Sequence, residues 1–406
     1  MNIVQNIREV RSAIDEWLCE QEKKSDLPFY FSVDVRNAGF KMVVVDTNLF
    51  PAGFNNLCAK DIQNSANIFR LELQARNKAI KDILLVSEDH TRNKWYLENI
   101  AVLEDIIARA GYKLKVAANL ENDEVYLDLK TATNRNLRIY NLKLIVDSYK
   151  SRKENIDLII LNNDLTAGVP NILSELDLPI YPSLAAGWHR RLKSVHFSCM
   201  QDVVGALSKV VGLDPWFFSS FYTACGDVNV NEDQDRERLA DMAADLFRKI
   251  KSKYKEYGIN EQPFIFLKSD SGTYGMGVQP IEDANDILEL NRKARNKLFK
   301  GKGSQVITKY ILQEGVPTIN KVGNSIGEPC IYSVGGKVLG GFYRFHENKT
   351  GRENLNSVGM EFKSICNKKF HGVACNSGDC GLDLDPNFDV YSIVSRIAGI
   401  AAARER

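Results

Sequence analysis

At 406 residues, with 44% hydrophobic and 26% charged residues, the chain has the make-up of a soluble globular protein with room for two or three domains. Lys plus Arg (53) nearly cancels Asp plus Glu (52), so a formal charge of +1 gives no electrostatic basis for binding nucleic acid over a broad surface. No apolar run approaches a membrane span, and the charged amphipathic start MNIVQNIREVRSAIDEWL reads as a helix, so a cytoplasmic protein without membrane partners is expected.

In the first half, short β-rich runs alternate with helical patterns. GFKMVVVDTNLF (39–50), IKDILLVSEDH (80–90), NLKLIVDS (141–148) and NIDLIILNND (155–164) read as strands, as does FYFSV before Asp34. Between them, residues 55–79 and 94–112 carry apolar residues at a spacing near 3.6. Such alternation predicts a parallel sheet covered on both faces, with ligands beyond the C-terminal ends of its strands. The polar clusters VDTN, SEDHTRN and LNNDLTAG fall at those ends. Residues 196–258 read as mostly helical. A strand–turn–strand follows at 264–281, then a helix in EDANDILELNRKARNKLFKG, then strands in VITKYILQEGV, EPCIYSVGG and KVLGGFYRFH. The pair Gly335–Gly336 between two β-like runs predicts a hairpin. The fold class is therefore α/β: an N-terminal parallel-sheet α/β domain over 1–195, followed by an antiparallel-rich α+β domain over 196–406.

Eight cysteines are scattered without a CxxC pair, which favours reduced thiols over a zinc site. The stretch FIFLKSDSGTYGMGVQPI (264–281) is more specific. It is neither GxxxxGK[ST] nor GxGxxG, yet it sets Lys268 at a strand end before Gly272, Gly275 and Gly277. Glycines let backbone N–H groups approach an anion, and the lysine adds a point charge for phosphate. A plain glycine-rich turn with a surface lysine is the competing reading of this stretch alone.

The blocks FYFSVDVRNAGFKMVVVDTNLFPAGFNNL (29–57), LLVSEDHTRNKWYLENI (84–100), IILNNDLTAGVP (159–170), AGWHRRLKSVHF (186–197), FLKSDSGTYGMGV (266–278), QEGVPT (313–318) and GGFYRFHENKTGRENLNSVGMEF (340–362) resemble, in this order, those of the proteobacterial-type glutamate–cysteine ligases. These are ATP-grasp enzymes that make γ-glutamylcysteine for glutathione synthesis. The resemblance implies an ATP-grasp second domain with a helical lead-in at 196–258 and a glycine-rich lid at 268–278. It also implies ATP and Mg²⁺, and an acyl phosphate formed on the γ-carboxylate of glutamate and then attacked by the amine of cysteine. ATP-grasp domains usually end on a strand with acidic and amide metal ligands, and no such strand is obvious in the final SRIAGIAAARER.

On that resemblance, Lys268 sits on the α/β-phosphates, and Gly272, Thr273, Tyr274, Gly275, Met276 and Gly277 close over the β/γ-phosphates. Gln313, Glu314 and Val316 supply the adenine linker, and Arg344 joins Lys268 as the catalytic pair by stabilising charge on the transferring phosphoryl group. Mg²⁺ wants oxygen ligands, which Glu353, Asn354, Asn356 and Glu328 provide. Glutamate needs a bidentate arginine for its α-carboxylate, met by Arg36 or Arg92, and a carboxylate for its amine, met by Asp34 or Asp164. Asn37, Asn48, Asn55, Asn56, His90, Asn163, His189 and Arg190 complete the expected substrate-binding set; each of these polar residues could equally cap a helix or tie a loop. The substrates are small molecules. A glutathione synthetase-like ligase, or a nucleotide- and amino-acid-binding protein without turnover, is the alternative; oligomeric state is left open.

Overall fold

The computed structural model describes residues 3–120, 124–271, 277–299, 306–365 and 385–405. After two helices, Ile3–Glu9 and Arg11–Lys23, the chain forms β1 (Tyr30–Asn37) and β2 (Met42–Asn48). They pair antiparallel, because the connection 38–41 is a hairpin too short to cross over. The run 39–50 is thus a strand as expected, but it lies outside the parallel sheet that the alternating pattern suggested.

That parallel sheet holds β3 (Asp82–Ser87), β4 (Lys113–Ala118), β5 (Tyr126–Lys130), β6 (Asn136–Asn141), β7 (Leu158–Asn162) and β8 (Ile180–Tyr181), in the order β5-β6-β4-β3-β7-β8. Only β5 runs antiparallel to its neighbour. Helix Lys94–Arg109 packs on it, capped by Asn93, which accepts from Trp95 N and Tyr96 N, and helix Ala59–Arg76 packs against that helix.

A second sheet holds β9 (Tyr222–Asp227), β10 (Ile265–Ser269), β11 (Val278–Ile281) and β12 (Lys309–Glu314), in the order β11-β10-β12-β9 and antiparallel throughout. The third holds β13 (Lys321–Val322), β14 (Ser325–Val334), β15 (Lys337–His346) and β16 (Glu361–Ile365) and joins them to the first hairpin, in the order β16-β15-β14-β1-β2. The β14–β15 turn is Gly335–Gly336 with φ of +52° and +76°, the two positive values that a two-residue hairpin favours. Helix Phe388–Ala402 lies across this third sheet, pressed so close that a Cβ at Gly399 would fall 2.5 Å from the Phe31 ring. The predicted α/β class, with a parallel sheet early and antiparallel sheets later, is what the chain forms.

Three local expectations change. Residues 141–148 are not a strand: Asn141 ends β6 and its side chain accepts from Lys143 N, capping a helix Leu142–Lys150. Leu142, Ile145 and Val146 are its buried residues, a helical spacing hidden inside an apolar run. The helical region 196–258 consists of helices Lys193–Val211 and Asp233–Glu256 with β9 between them. The single helix expected after Ile281 is interrupted: Ala284–Ile287 is a 3₁₀ turn, and Asn291 accepts from Ala294 N at the head of a new helix, Arg292–Phe299.

Candidate active site

All three sheets meet at one cleft. The third sheet supplies its floor, because period-two alternation turns Ser32, Asp34 and Arg36 of β1, Glu328 and Tyr332 of β14, and Arg344 of β15 to the same side. On β2 the register slips opposite Asp34/Val35, leaving Val45 as the extra residue of a bulge. Bulges re-aim side chains, and here Val45, Asp46 and Asn48 all reach the cleft. The second sheet brings Phe266, Lys268, Val278, Gln313 and Glu314, with Val316 just beyond β12. Asp164, at the C-terminal end of β7, and Trp188 and Lys193 close another side; Asn354 and Asn356 come from the loop after β15.

Charge is arranged in pairs. Arg344 Nη1 bonds Asp34 Oδ2 at 2.8 Å and Glu328 Oε1 at 2.9 Å; the latter residue lies directly across the β14–β15 ladder. Glu328 also meets Arg36 Nε at 2.5 Å, so two arginines and two carboxylates form a continuous, largely buried chain. Burial works against the charge of Arg344, but Asp34, then Cys330 and Glu328, hold its pKa well above the ordinary value. Asp34 and Asp46 are cross-strand neighbours of like charge, so each needs its own cation. For Asp46 this is Lys193, which with Lys268 overrules burial and keeps the carboxyl well below its usual range.

Lys268 is the cation of the cleft whose charge burial weakens. Its Nζ donates to the carbonyl of Val45, the bulged residue, at 3.1 Å. Burial first, then repulsion from Lys193, pushes its pKa down to about 7, against the pull of Asp46, Asp34 and Asp270. An anion arriving beside it would hold it protonated.

Of the residues expected from sequence, the cleft gathers Asp34, Arg36, Asn48, Asp164, Lys268, Gln313, Glu314, Val316, Glu328, Arg344, Asn354 and Asn356. Gly277 stands in the left-handed region, φ +65°, just before β11; Gly272, Thr273, Tyr274, Gly275 and Met276 lie outside the described residues. Others fall away from the cleft lining. Arg92, His189 and Arg190 are exposed and His90 is partly so, near Glu88 and Asp89. Asn37 and Asn163 accept from backbone N–H groups two residues on, and Asn55 donates to Asn56, so these tie loops. The carboxylate of Glu353 is held by Lys349 and Thr350. Two retained residues are engaged differently from expectation: Arg36 uses its remaining nitrogens on the carbonyls of Gly351 and Glu353, and Glu314 turns its carboxylate to Lys41, Trp216 and Phe221 N.

Sequence reasoning missed Ser32, Asp46, Trp188, Lys193 and Tyr332. Asp46 and Lys193 stood inside the polar motifs VDTN and HRRLK, and Ser32 completes the alternation Ser32–Asp34–Arg36, so the signal was present for three of them. Nothing local marks Trp188 or Tyr332.

A cleft lined by paired charges, with the buried, pKa-lowered Lys268 on its second-sheet side, suits small charged molecules. The family model GshA, glutamate-cysteine ligase, matches residues 4–406, and the chain belongs to that family. It is similar to the protein assigned as a γ-glutamylcysteine synthetase in Methylobacillus flagellatus KT: 32% identity over 99% of this chain and 95% of that one, TM-score 0.86. Fainter likeness extends to D-alanyl-alanine synthetase A of Vibrio cholerae (12% identity, 70% and 74% covered, TM-score 0.34) and to a glutathione synthetase-like effector, GSS30, of Globodera pallida (10%, 89% and 82%, 0.32). No curated protein matches by sequence. The enzyme is thus a glutamate–cysteine ligase of glutathione biosynthesis, an ATP-dependent reaction; the glutathione synthetase-like alternative is not favoured. Among the described residues no helix is long and apolar enough to cross a membrane.

Proposed function

We propose that the γ-carboxylate of glutamate attacks the γ-phosphorus of ATP in this cleft, releasing ADP. The amine of cysteine then attacks the acyl carbon of the resulting acyl phosphate, phosphate leaves, and γ-glutamylcysteine remains. The observation that carries this reading is that one cleft joins the buried Lys268 to the Asp34–Arg344–Glu328–Arg36 chain. Phosphoryl transfer is mostly positioning and neutralisation of charge, for which such fixed charges are suited.

In this reading the division is that of an ATP-grasp enzyme in the cytoplasm. The half 196–406 takes the nucleotide, with Lys268 and the glycine-rich segment 272–277 at its phosphates and the backbone of 313–316 along the adenine edge. The half 1–195 takes the amino acids along Asp34, Asn48 and Asp164, and the third sheet is shared between them. Arg344 steadies the transferring phosphoryl group. Arg36 sets the carboxylate of Glu328 and contributes positive charge without a free fork for a second carboxylate.

Glu328, Asn354 and Asn356 line the same cleft and carry the oxygens a hard cation prefers. Both Glu328 oxygens are paired with Arg344 and Arg36, and Asn354 Oδ1 accepts from Asn356 N, so these side chains would hold Mg²⁺ only after giving up those partners. Among the described residues no three His, Cys, Asp or Glu side chains form a metal-holding group. Phosphates and water would then supply most of the ligands, as is usual for Mg²⁺. When bound, the ion would neutralise phosphate charge.

The test is phosphate release from ATP with Mg²⁺ across amino-acid pairs. Substantial release is expected only with glutamate and cysteine together. Equal or faster turnover with γ-glutamylcysteine and glycine would sink the assignment.

A further inference from the structure

Behind the cleft floor, Glu405, His196 and Thr47 stand in the order carboxylate, imidazole, hydroxyl. Glu405 Oε1 lies 2.6 Å from His196 Nδ1, and His196 Nε2 lies 2.8 Å from Thr47 Oγ1. The spacing is that of a nucleophile–base–orienter set. It is not one, because Thr47 is 2% exposed and faces away from the cleft, between Asp46 and Asn48, which face it. A second arm runs through Arg191. Its Nε and Nη2 bind the two oxygens of Glu405 at 2.7 and 2.8 Å, and its Nη1 donates to the carbonyl of Thr47. Glu405 therefore holds both side chains that grip Thr47, His196 by its hydroxyl and Arg191 by its carbonyl. Two residues on from Arg191, at the head of helix Lys193–Val211, stands Lys193, the partner of Asp46.

We propose that Glu405 is a positioning residue for the ligase reaction: through Arg191 and His196 it fixes Thr47, and thereby the placement of Asp46, Asn48 and Lys193 in the cleft. Without its charge, the guanidinium of Arg191 is left buried beside Asp46. It then competes with Lys193 for that carboxylate, which disturbs the charge pairing next to Lys268. A purely structural role would lower stability and leave the kinetics of the folded molecules untouched.

This rests on the reading that the amino acids bind along Asp34, Asn48 and Asp164, and phosphate release by the unaltered enzyme with glutamate and cysteine checks that reading separately. Glu405→Gln, Glu405→Asp and Thr47→Val are compared with it at saturating ATP and Mg²⁺, with the folded fraction measured by circular dichroism. Per folded molecule, Glu405→Gln should lose at least about tenfold in kcat/KM for the amino acids, and Glu405→Asp should recover part of the loss by keeping the charge. Thr47→Val removes only the hydroxyl arm and should lose about threefold, which keeps the test decisive if Glu405→Gln does not fold. Unchanged kcat/KM per folded molecule in Thr47→Val, or in a folded Glu405→Gln, overturns the proposal.

Discussion

The pair Lys41–Glu314 offers the sharpest energetic test, because both side chains are 0% exposed and joined at 2.9 Å. Lys41 leaves the β1–β2 turn, lies 4.1 Å over the Trp216 ring and reaches Glu314 at the end of β12, so it ties the hairpin carrying Asp34 to the strand carrying Gln313. Glu314 also accepts from Trp216 Nε1 at 3.0 Å and Phe221 N at 2.9 Å. Lys41→Met leaves that carboxylate with two neutral donors and no counter-charge, which costs about 3–5 kcal/mol. Adding Glu314→Gln removes the stranded charge and keeps an acceptor for both donors, so the double variant should regain roughly 2 kcal/mol or more. The assay is urea unfolding of the single and double variants, read by fluorescence and circular dichroism. Burial pushes the pKa of Lys41 down to about 8, despite the pull of Glu314. Between that value and its unfolded value of about 10.4 the unfolded chain binds more protons, so stability rises with pH across this window, and the Lys41 share of the rise should vanish in Lys41→Met. A loss below about 1 kcal/mol, or a double variant no more stable than the single, would refute the reasoning.

Lys268→Ala should lower kcat/KM for ATP by about 10² or more with unchanged circular dichroism, since a charge-assisted phosphate contact is lost. Because the pKa of Lys268 is depressed to about 7, binding of an ATP analogue at pH 8 should take up protons; calorimetry in buffers of different ionisation enthalpy reads this, and zero uptake argues against the contact. Arg36→Ala, which frees the buried Glu328, should cut kcat/KM for glutamate at least tenfold, whereas the exposed Arg92→Ala should stay within about twofold; equal losses would return Arg92 to the site. Gly315→Ala would set a Cβ 2.4 Å from the Phe264 ring, so the linker must shift and the KM for ATP should rise about fivefold or more, unless Phe264 swings aside and the KM stays unchanged.

What the sequence settled by itself was local. Short β-rich runs placed β1, β3, β7, β14 and β15; Gly335–Gly336 placed a turn that only residues tolerating positive φ can make; and the lysine before three glycines marked Lys268. The ordered blocks carried the family. Those signals act over a few residues, where backbone geometry is decided. Local pattern failed where two periods overlap, as in LKLIV at 142–146, which folds as a helix because Asn141 caps it. It also failed for polar residues in loops: His90, Arg92, His189 and Arg190 look the same in sequence as Asp46 and Lys193. Only the pairing of β1 with β14, which joins Tyr30 to Val334, decides that Tyr332 and Arg344 face the same space as Ser32 and Asp34. Likewise only the packing of β12 against the first hairpin turns Glu314 inward to Lys41. Which charges converge depends on contacts between segments hundreds of residues apart, and those are set by burying the apolar faces of all three sheets together, a condition no short stretch of the chain contains.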